Sequence, residues 1–452
     1  MTRLHFASAL LPSGWANDVQ VVITAGTIEA VTPGVSPAAS DERHQIALPG
    51  LASLHSHAFQ RGMAGLAELR GDSTDTFWTW RETMYRFALA MTPEDVAAVA
   101  TLLYVEMLEQ GFTRVGEFHY LHHDRDGLPY ADLAEMAARI AQAAEASGIG
   151  LTLLPSFYAH GGFGGAAPHA GQRRFICSVD QFATLMAASR KAIGKLPGAN
   201  IGIAPHSLRA VTPDELAAII PLADGGPVHI HAAEQVKEVE DCLAWSGRRP
   251  VQWLLEYAPV NQRWCVIHAT HTTNEEVDAF ARTGAVAGLC PVTEASLGDG
   301  VFPAREFLDA GGVFGVGTDS NVLIGVADEL RQLEYGQRLK HRARNVLSGG
   351  AAASTGRTLF DHARAGGAQA LAQTTVGLVP GARADIVTLD AAHPSLAGRA
   401  RDAVIDGWIF AAGSGAIDCV WAGGNKVVEG GRHRLRQSAR ENFNASVRRL
   451  VA

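Results

Sequence analysis

With 452 residues, 47% of them hydrophobic and 19% charged, the chain has room for an enzyme core of roughly 250 to 330 residues plus a second, smaller unit. A formal charge of −8, with no block of five or more like charges, argues against nucleic acid or a membrane surface as partner. The five cysteines lack CxxC spacing and read as reduced packing thiols, and the apolar start is broken at Pro12 and Gly14, too early for a membrane span or signal peptide; a cytoplasmic protein is expected.

In chain order, short alternating runs such as VQVVITAG and TIEAVTPG predict hairpin strands before residue 46. A different rhythm follows. Apolar runs that end in polar residues recur eight times: IALPGLASLHSH, TRVGEFHY, GLTLLPSFYAH, ANIGIAPHS, PVHIHAAE, RWCVIHAT, AVAGLCPVTE and VFGVGTDS. Amphipathic helix patterns separate them, some with explicit starts: Pro93 after Thr92, and capping-box spacings at Thr212/Glu215 and Thr273/Glu276. Eight strand–helix repeats predict an α/β protein with a (β/α)8 TIM-like barrel over 47–376. Hairpin texture returns in ARADIVTLD and DCVWAGGNKVVEGGRH. Residues 1–46 and 377–452, neither able to bury a core alone, are therefore expected to meet in a small composite β-sandwich domain.

The chemistry-bearing residues fall at the C-terminal ends of the predicted strands, where barrel enzymes assemble their active sites. His55 and His57 are one residue apart at the end of the first strand, so both imidazoles project to one face and can reach one metal ion. His231 ends the fifth strand, His268 the sixth and Asp319 the eighth. Taken singly, each histidine is as well explained as a hydrogen-bonded core residue and Asp319 as a cap. Together at the rim of one barrel they predict a metal centre. Glu234, three residues after His231, stands where a general base would reach an attacking water, although a first-turn glutamate also suits a helix dipole. A metal ion would activate that water and polarise an electrophilic carbon, which describes hydrolysis of a C–N bond. His229, one pleat deeper than His231, reads as a packing or supporting residue, and Trp78 and Trp80 as packing.

HSH, HAAE, the sixth-strand histidine and VGTDS together resemble the amidohydrolase superfamily, in its mononuclear aminohydrolase branch. The resemblance implies that His55, His57, His231 and Asp319 bind one Zn2+ per chain, with Fe2+ and Mn2+ also compatible with that donor set. It further implies that Glu234 shuttles protons, that His268 orients or stabilises the attacking oxygen, and that Asp319 assists as a second proton acceptor. The fourth-strand segment ANIGIAPHSLRA holds no lysine to bridge two metals. Thr293-Glu294 stands where purine and triazine relatives commonly have Ser-Asn, which argues against their substrates.

The segments HSHAFQRGMAGLAE, DTFWTWRETMYRF, GEFHYLHH, APHSLRAV and CPVTEASLGDG narrow the resemblance to deiminases acting on a dicarboxylate amidine. By that resemblance Gln60, Arg81, Tyr120, His206 and Arg209 hold the substrate, the reaction turns N-formimino-L-glutamate into N-formyl-L-glutamate and ammonia in histidine degradation, and the chain forms a homodimer. Two arginines suit a dicarboxylate. The competing expectation is an aminohydrolase of a heterocycle such as guanine or cytosine. A scaffold that has lost its chemistry is disfavoured by the complete set of metal-compatible residues.

Overall fold

The computed structural model describes residues 1–68 and 76–452; Asp75, the first residue of the DTFWTWRETMYRF segment, lies outside them. The eight predicted core strands are present. They are Leu51–Ser56, Phe112–His119, Gly150–Phe157, the broken pair Asn200–Ile201 and Ala204–Pro205, Val228–Ala232, Trp264–His268, Val286–Leu289 and Val313–Val316. The first four pair in parallel in one sheet and the last four in another. Isolated parallel bridges between Ile203 and Val228, Ser207 and His231, and Ser56 and Asp319 link the two sheets at both edges. Leu51–Ser56, Phe112–His119 and Gly150–Phe157 are buried at every position, as expected where helices cover a parallel sheet and strands become continuous apolar runs.

The helix starts follow the sequence signals. Thr92, Thr212 and Thr273 each accept the backbone N–H three residues on, and Pro93 and Pro213 occupy first helical positions, where a missing N–H costs nothing.

Strands from both chain ends form one continuous eight-stranded mixed sheet, where two facing sheets were expected. Its seam is the strand Glu42–Pro49, which pairs in parallel with Thr2–Leu11 and antiparallel with Ile386–Leu389. Leu4, Phe6, Val19, Val21, Ile28, Ile386 and Trp421 share one buried cluster under this sheet, so neither terminal segment builds its core alone. Gly50 joins the sheet to the first core strand. A Cβ there would sit 2.3 Å from Thr113 Oγ1, so the crossing needs glycine. The last helix, Arg436–Val451, leaves the sheet and packs Ala439 against Leu102 and Val105 of the helix Pro93–Glu109. All five cysteines are buried and free, which fits their reading as packing residues.

Candidate active site

His55 and His57 leave the first core strand on the same side because strand side chains alternate, and both are buried. Their rings meet His231 from the fifth strand and Asp319 from the turn after the eighth. His55 Nε2 lies 3.1 Å from His231 Nε2 and 3.3 Å from Asp319 Oδ1, and His57 Nε2 lies 3.4 Å from the same oxygen. Ligands roughly 2.0–2.1 Å from a tetrahedral zinc ion stand about 3.3 Å apart, so this spacing fits one small divalent ion.

The nitrogens facing away from the cluster fix two tautomers. His57 Nδ1 donates to the Phe118 carbonyl and His231 Nδ1 to the His206 carbonyl, each at 2.8 Å, because a carbonyl can only accept. Their Nε2 lone pairs are thereby left free for a metal. Burial also keeps the imidazoles neutral: it pushes His55 down to about 3 and holds His57 and His231 below the ordinary histidine range. Asp319 behaves oppositely. Burial would raise its pKa, but the hydrogen bond and charge of His55, with His268 and His57 beyond, hold its carboxyl well below the usual range. Three neutral imidazoles and one carboxylate are the protonation states in which such a site could hold a metal.

His268 points its Nε2 toward this group, 3.7 Å from Glu234 Oε1 and 3.9 Å from Asp319 Oδ2. Burial alone would lower its pKa; the carboxylates of Glu234, Glu294 and Asp319 outweigh that and lift it to about 10. Glu234 is itself pushed up to about 7 by burial, against the pull of His268 and Arg209. A carboxyl poised near neutrality can both accept and return a proton. Its place is set by the turn before the helix Val236–Ser246, where the Glu234 N–H donates to Glu238 at 3.0 Å.

Three of the four candidate ligands, His57, His231 and Asp319, open together with Glu234 and His268 onto one cavity, and His55 lies behind them. Gln60, Arg81, Tyr120, His206 and Arg209, the five residues expected to hold substrate, all line it as well. Gln60 Nε2 donates to the Tyr120 hydroxyl at 2.8 Å. Among the described residues the Nε groups of Arg81 and Arg209 are buried without a hydrogen-bond partner, two cationic side chains lining one pocket. Arg209 Nη2 stands 3.9 Å from Glu234 Oε2. His229 is elsewhere: its Nε2 donates to the Ala370 carbonyl at 2.8 Å, a packing role.

Trp80 packs against the main core, as expected, and also lines the cavity, while Trp78 lies 4.4 Å beneath the Arg81 guanidinium. Phe77, Trp80, Arg81, Met84 and Tyr85 fall at helical i, i+3, i+4, i+7 and i+8 positions of Phe77–Ala90, so one face of this helix walls the pocket. That stripe was visible in the sequence, but the same periodicity describes any helix packed on a core. Tyr158, also on the wall, accepts from Gln172 Nε2 at 2.7 Å and carried no sequence signal beyond its place after the third strand.

A metal-competent donor set beside a carboxyl base matches the comparison with known families: the amidohydrolase family model fits residues 46–427. The chain belongs to the amidohydrolase family. Residues 1–45 fit the model described as formimidoylglutamate deiminase HutF, N-terminal domain. The formimidoylglutamate deiminase of Pseudomonas aeruginosa is 51% identical over 435 residues, covering 96% of each chain. A 5-methylthioadenosine/S-adenosylhomocysteine deaminase of Natronomonas pharaonis is 29% identical over 77% of this chain and 74% of its own. Among solved structures, an amidohydrolase from Brucella melitensis superposes with a TM-score of 0.97 at 59% identity, with both chains fully covered. An adenosine deaminase from Xanthomonas campestris with bound zinc reaches 0.82 at 22% identity, covering 100% of this chain and 98% of its own, which speaks for the fold. Members of the family are metal-dependent hydrolases, and no described helix is long and apolar enough to cross a membrane.

Proposed function

We infer that this amidohydrolase hydrolyses N-formimino-L-glutamate to N-formyl-L-glutamate and ammonia, the deiminase step of histidine degradation. The observation that carries the substrate is the pairing of Arg81 and Arg209, each with a buried Nε that has no partner among the described residues, in the cavity lined by Glu234, His57, His231 and Asp319. The relative at 51% identity supports the same reading.

In the proposed site His55, His57, His231 and Asp319 hold one Zn2+ per chain. The ion, when bound, supplies Lewis acidity that acidifies water and polarises the formimino carbon. The remaining chemistry belongs to the chain. Arg81 and Arg209 take the substrate carboxylates through charge-assisted hydrogen bonds, with Gln60, Tyr120 and His206 completing the fit. Glu234 accepts the proton of the attacking water and delivers it to the terminal nitrogen of the amidine. That C–N bond breaks and ammonia leaves, while the water oxygen stays on carbon as the formyl group. His268 directs its Nε2 at the developing oxyanion and stabilises it. Asp319 serves as the second proton acceptor, taking the remaining hydroxyl proton as the carbonyl forms, so that protonated amidine and water end as formyl product, ammonia and one released proton.

The eight core strands are read as a closed (β/α)8 barrel over 47–376; the bridges at both edges of the two sheets support closure. Residues 1–46 and 377–452 form the companion β domain, in a homodimeric, cytoplasmic enzyme.

A coupled ammonia assay of zinc-loaded protein, with products followed by NMR, tests the function. Equal amounts of ammonia and formylglutamate, lost in Glu234→Gln, are expected. Formamide would mean the other C–N bond is cut, and turnover confined to neutral heterocycles would replace the reading with a ring deaminase.

A further inference from the structure

Thr293 and Glu294 open the short helix Pro291–Leu297, are both buried, and have no part in the chemistry above. Each grips a different piece of the site. Glu294 Oε1 accepts from His268 Nδ1 at 3.2 Å and from the Cys290 N–H at 2.9 Å, so the carboxylate that holds the imidazole is itself tied to backbone. With Nδ1 engaged, Nε2 is the nitrogen that faces Glu234 and Asp319. The Thr293 hydroxyl donates to the Thr318 carbonyl at 3.2 Å, accepts the Ser320 N–H at 3.3 Å and lies 3.0 Å from Ser320 Oγ. It therefore clasps the chain on both sides of Asp319.

The backbone at both gripped residues needs holding. His268 has φ +68° and Asp319 has φ +45°, left-handed values that cost a residue with a Cβ of order 1 kcal/mol or more unless the surroundings enforce them. We propose that Thr293-Glu294 is a positioning pair: the Glu294 carboxylate orients His268 for turnover through its bond to Nδ1, and Thr293 holds the Asp319 turn in its metal-binding shape. Neither residue lines the active-site cavity. The inference rests on the proposed deiminase function and deepens it by naming what sets the two strained residues.

The test uses full-length protein and reads kcat, KM, bound zinc per chain and Tm. Glu294→Gln keeps an oxygen acceptor for Nδ1 and the Cys290 N–H but removes the charge. It should lower kcat by roughly ten- to a hundredfold, leaving KM within about twofold and zinc and Tm unchanged. Unchanged kcat, or a loss matched by lost zinc and a lower Tm, overturns the Glu294 role. Thr293→Val should weaken zinc affinity by roughly ten- to a hundredfold in a calorimetric titration, with Thr293→Ser restoring it. Wild-type affinity in Thr293→Val overturns the Thr293 role. If wild-type protein does not turn over N-formimino-L-glutamate, the functional reading fails and takes the Glu294 role with it, and the zinc titration of Thr293→Val still decides the Thr293 role. If Glu294→Gln does not fold, Glu294→Asp, which keeps the carboxylate but draws it back from His268 Nδ1, is read instead: the same loss of kcat is expected, and wild-type kcat overturns the role.

Discussion

Arg81 and Arg209 carry the substrate reading at the level of single residues, because each keeps a buried Nε without a partner among the described residues. Replacing either by Met removes charge-assisted hydrogen bonds worth about 2 kcal/mol, so kcat/KM for N-formimino-L-glutamate should fall by about thirtyfold. Steady-state kinetics check this, and full activity in both variants would exclude a dicarboxylate. Glu117 makes a different prediction, about pH. It lies under the His55–His57 turn, accepts from the Ala58 N–H at 2.7 Å and from the Tyr104 hydroxyl at 3.1 Å, and burial pushes it up to about 8 from 4.5. Between those values the folded protein holds a proton that the unfolded chain has released, so this group's contribution to stability falls as pH rises through the window. Glu117→Gln cannot titrate. Its Tm relative to wild type should climb in the variant's favour from pH 5 to pH 8, and parallel curves would show that Glu117 is ionised in the fold.

The turns after the core strands decide the geometry at the next scale. Asn321, buried at φ +59°, donates from Nδ2 to the carbonyls of Asp319 and His57 at 2.8 and 3.1 Å and to Ser56 Oγ at 3.3 Å, and its Oδ1 accepts from the Thr318 hydroxyl at 2.6 Å. One amide thus staples the turn of the eighth strand to the end of the first. Asn321→Ala strands these partners in a buried place and should cost about 3 kcal/mol in urea unfolding, with weaker metal binding. Loss of stability below about 1 kcal/mol would show that the turns hold without the staple. Sequence reading located the strand ends well, since apolar runs closing on His or Asp are visible one by one. It could not see the Asn321 staple, and it marked Glu294 without its contact to His268, because the partners lie 264 and 26 residues away. The face of Phe77–Ala90 was visible as a pattern, yet its place on the pocket was not, because an apolar stripe looks the same whether it faces a core or a pocket.

At the scale of the whole molecule, the candidate ligands come from the first, fifth and eighth strands, so a bound ion ties together both parallel sheets. Removing it by chelation should lower Tm, and re-adding zinc at about 100 times its Kd should restore about 2.7 kcal/mol. A Tm indifferent to chelator would mean that the cluster does not hold a structural charge. The sequence alone determined the strand–helix alternation, the helix starts, the pairing of the two chain ends and the identity of the metal-compatible residues, because each rests on local periodicity or on a residue type with few other uses. The tertiary structure alone decided that the chain ends share one continuous sheet, that Trp80 and Tyr158 face the cavity, and that Thr293-Glu294 grips both strained turns. Those depend on which faces meet across hundreds of residues, and local spacing carries no record of that.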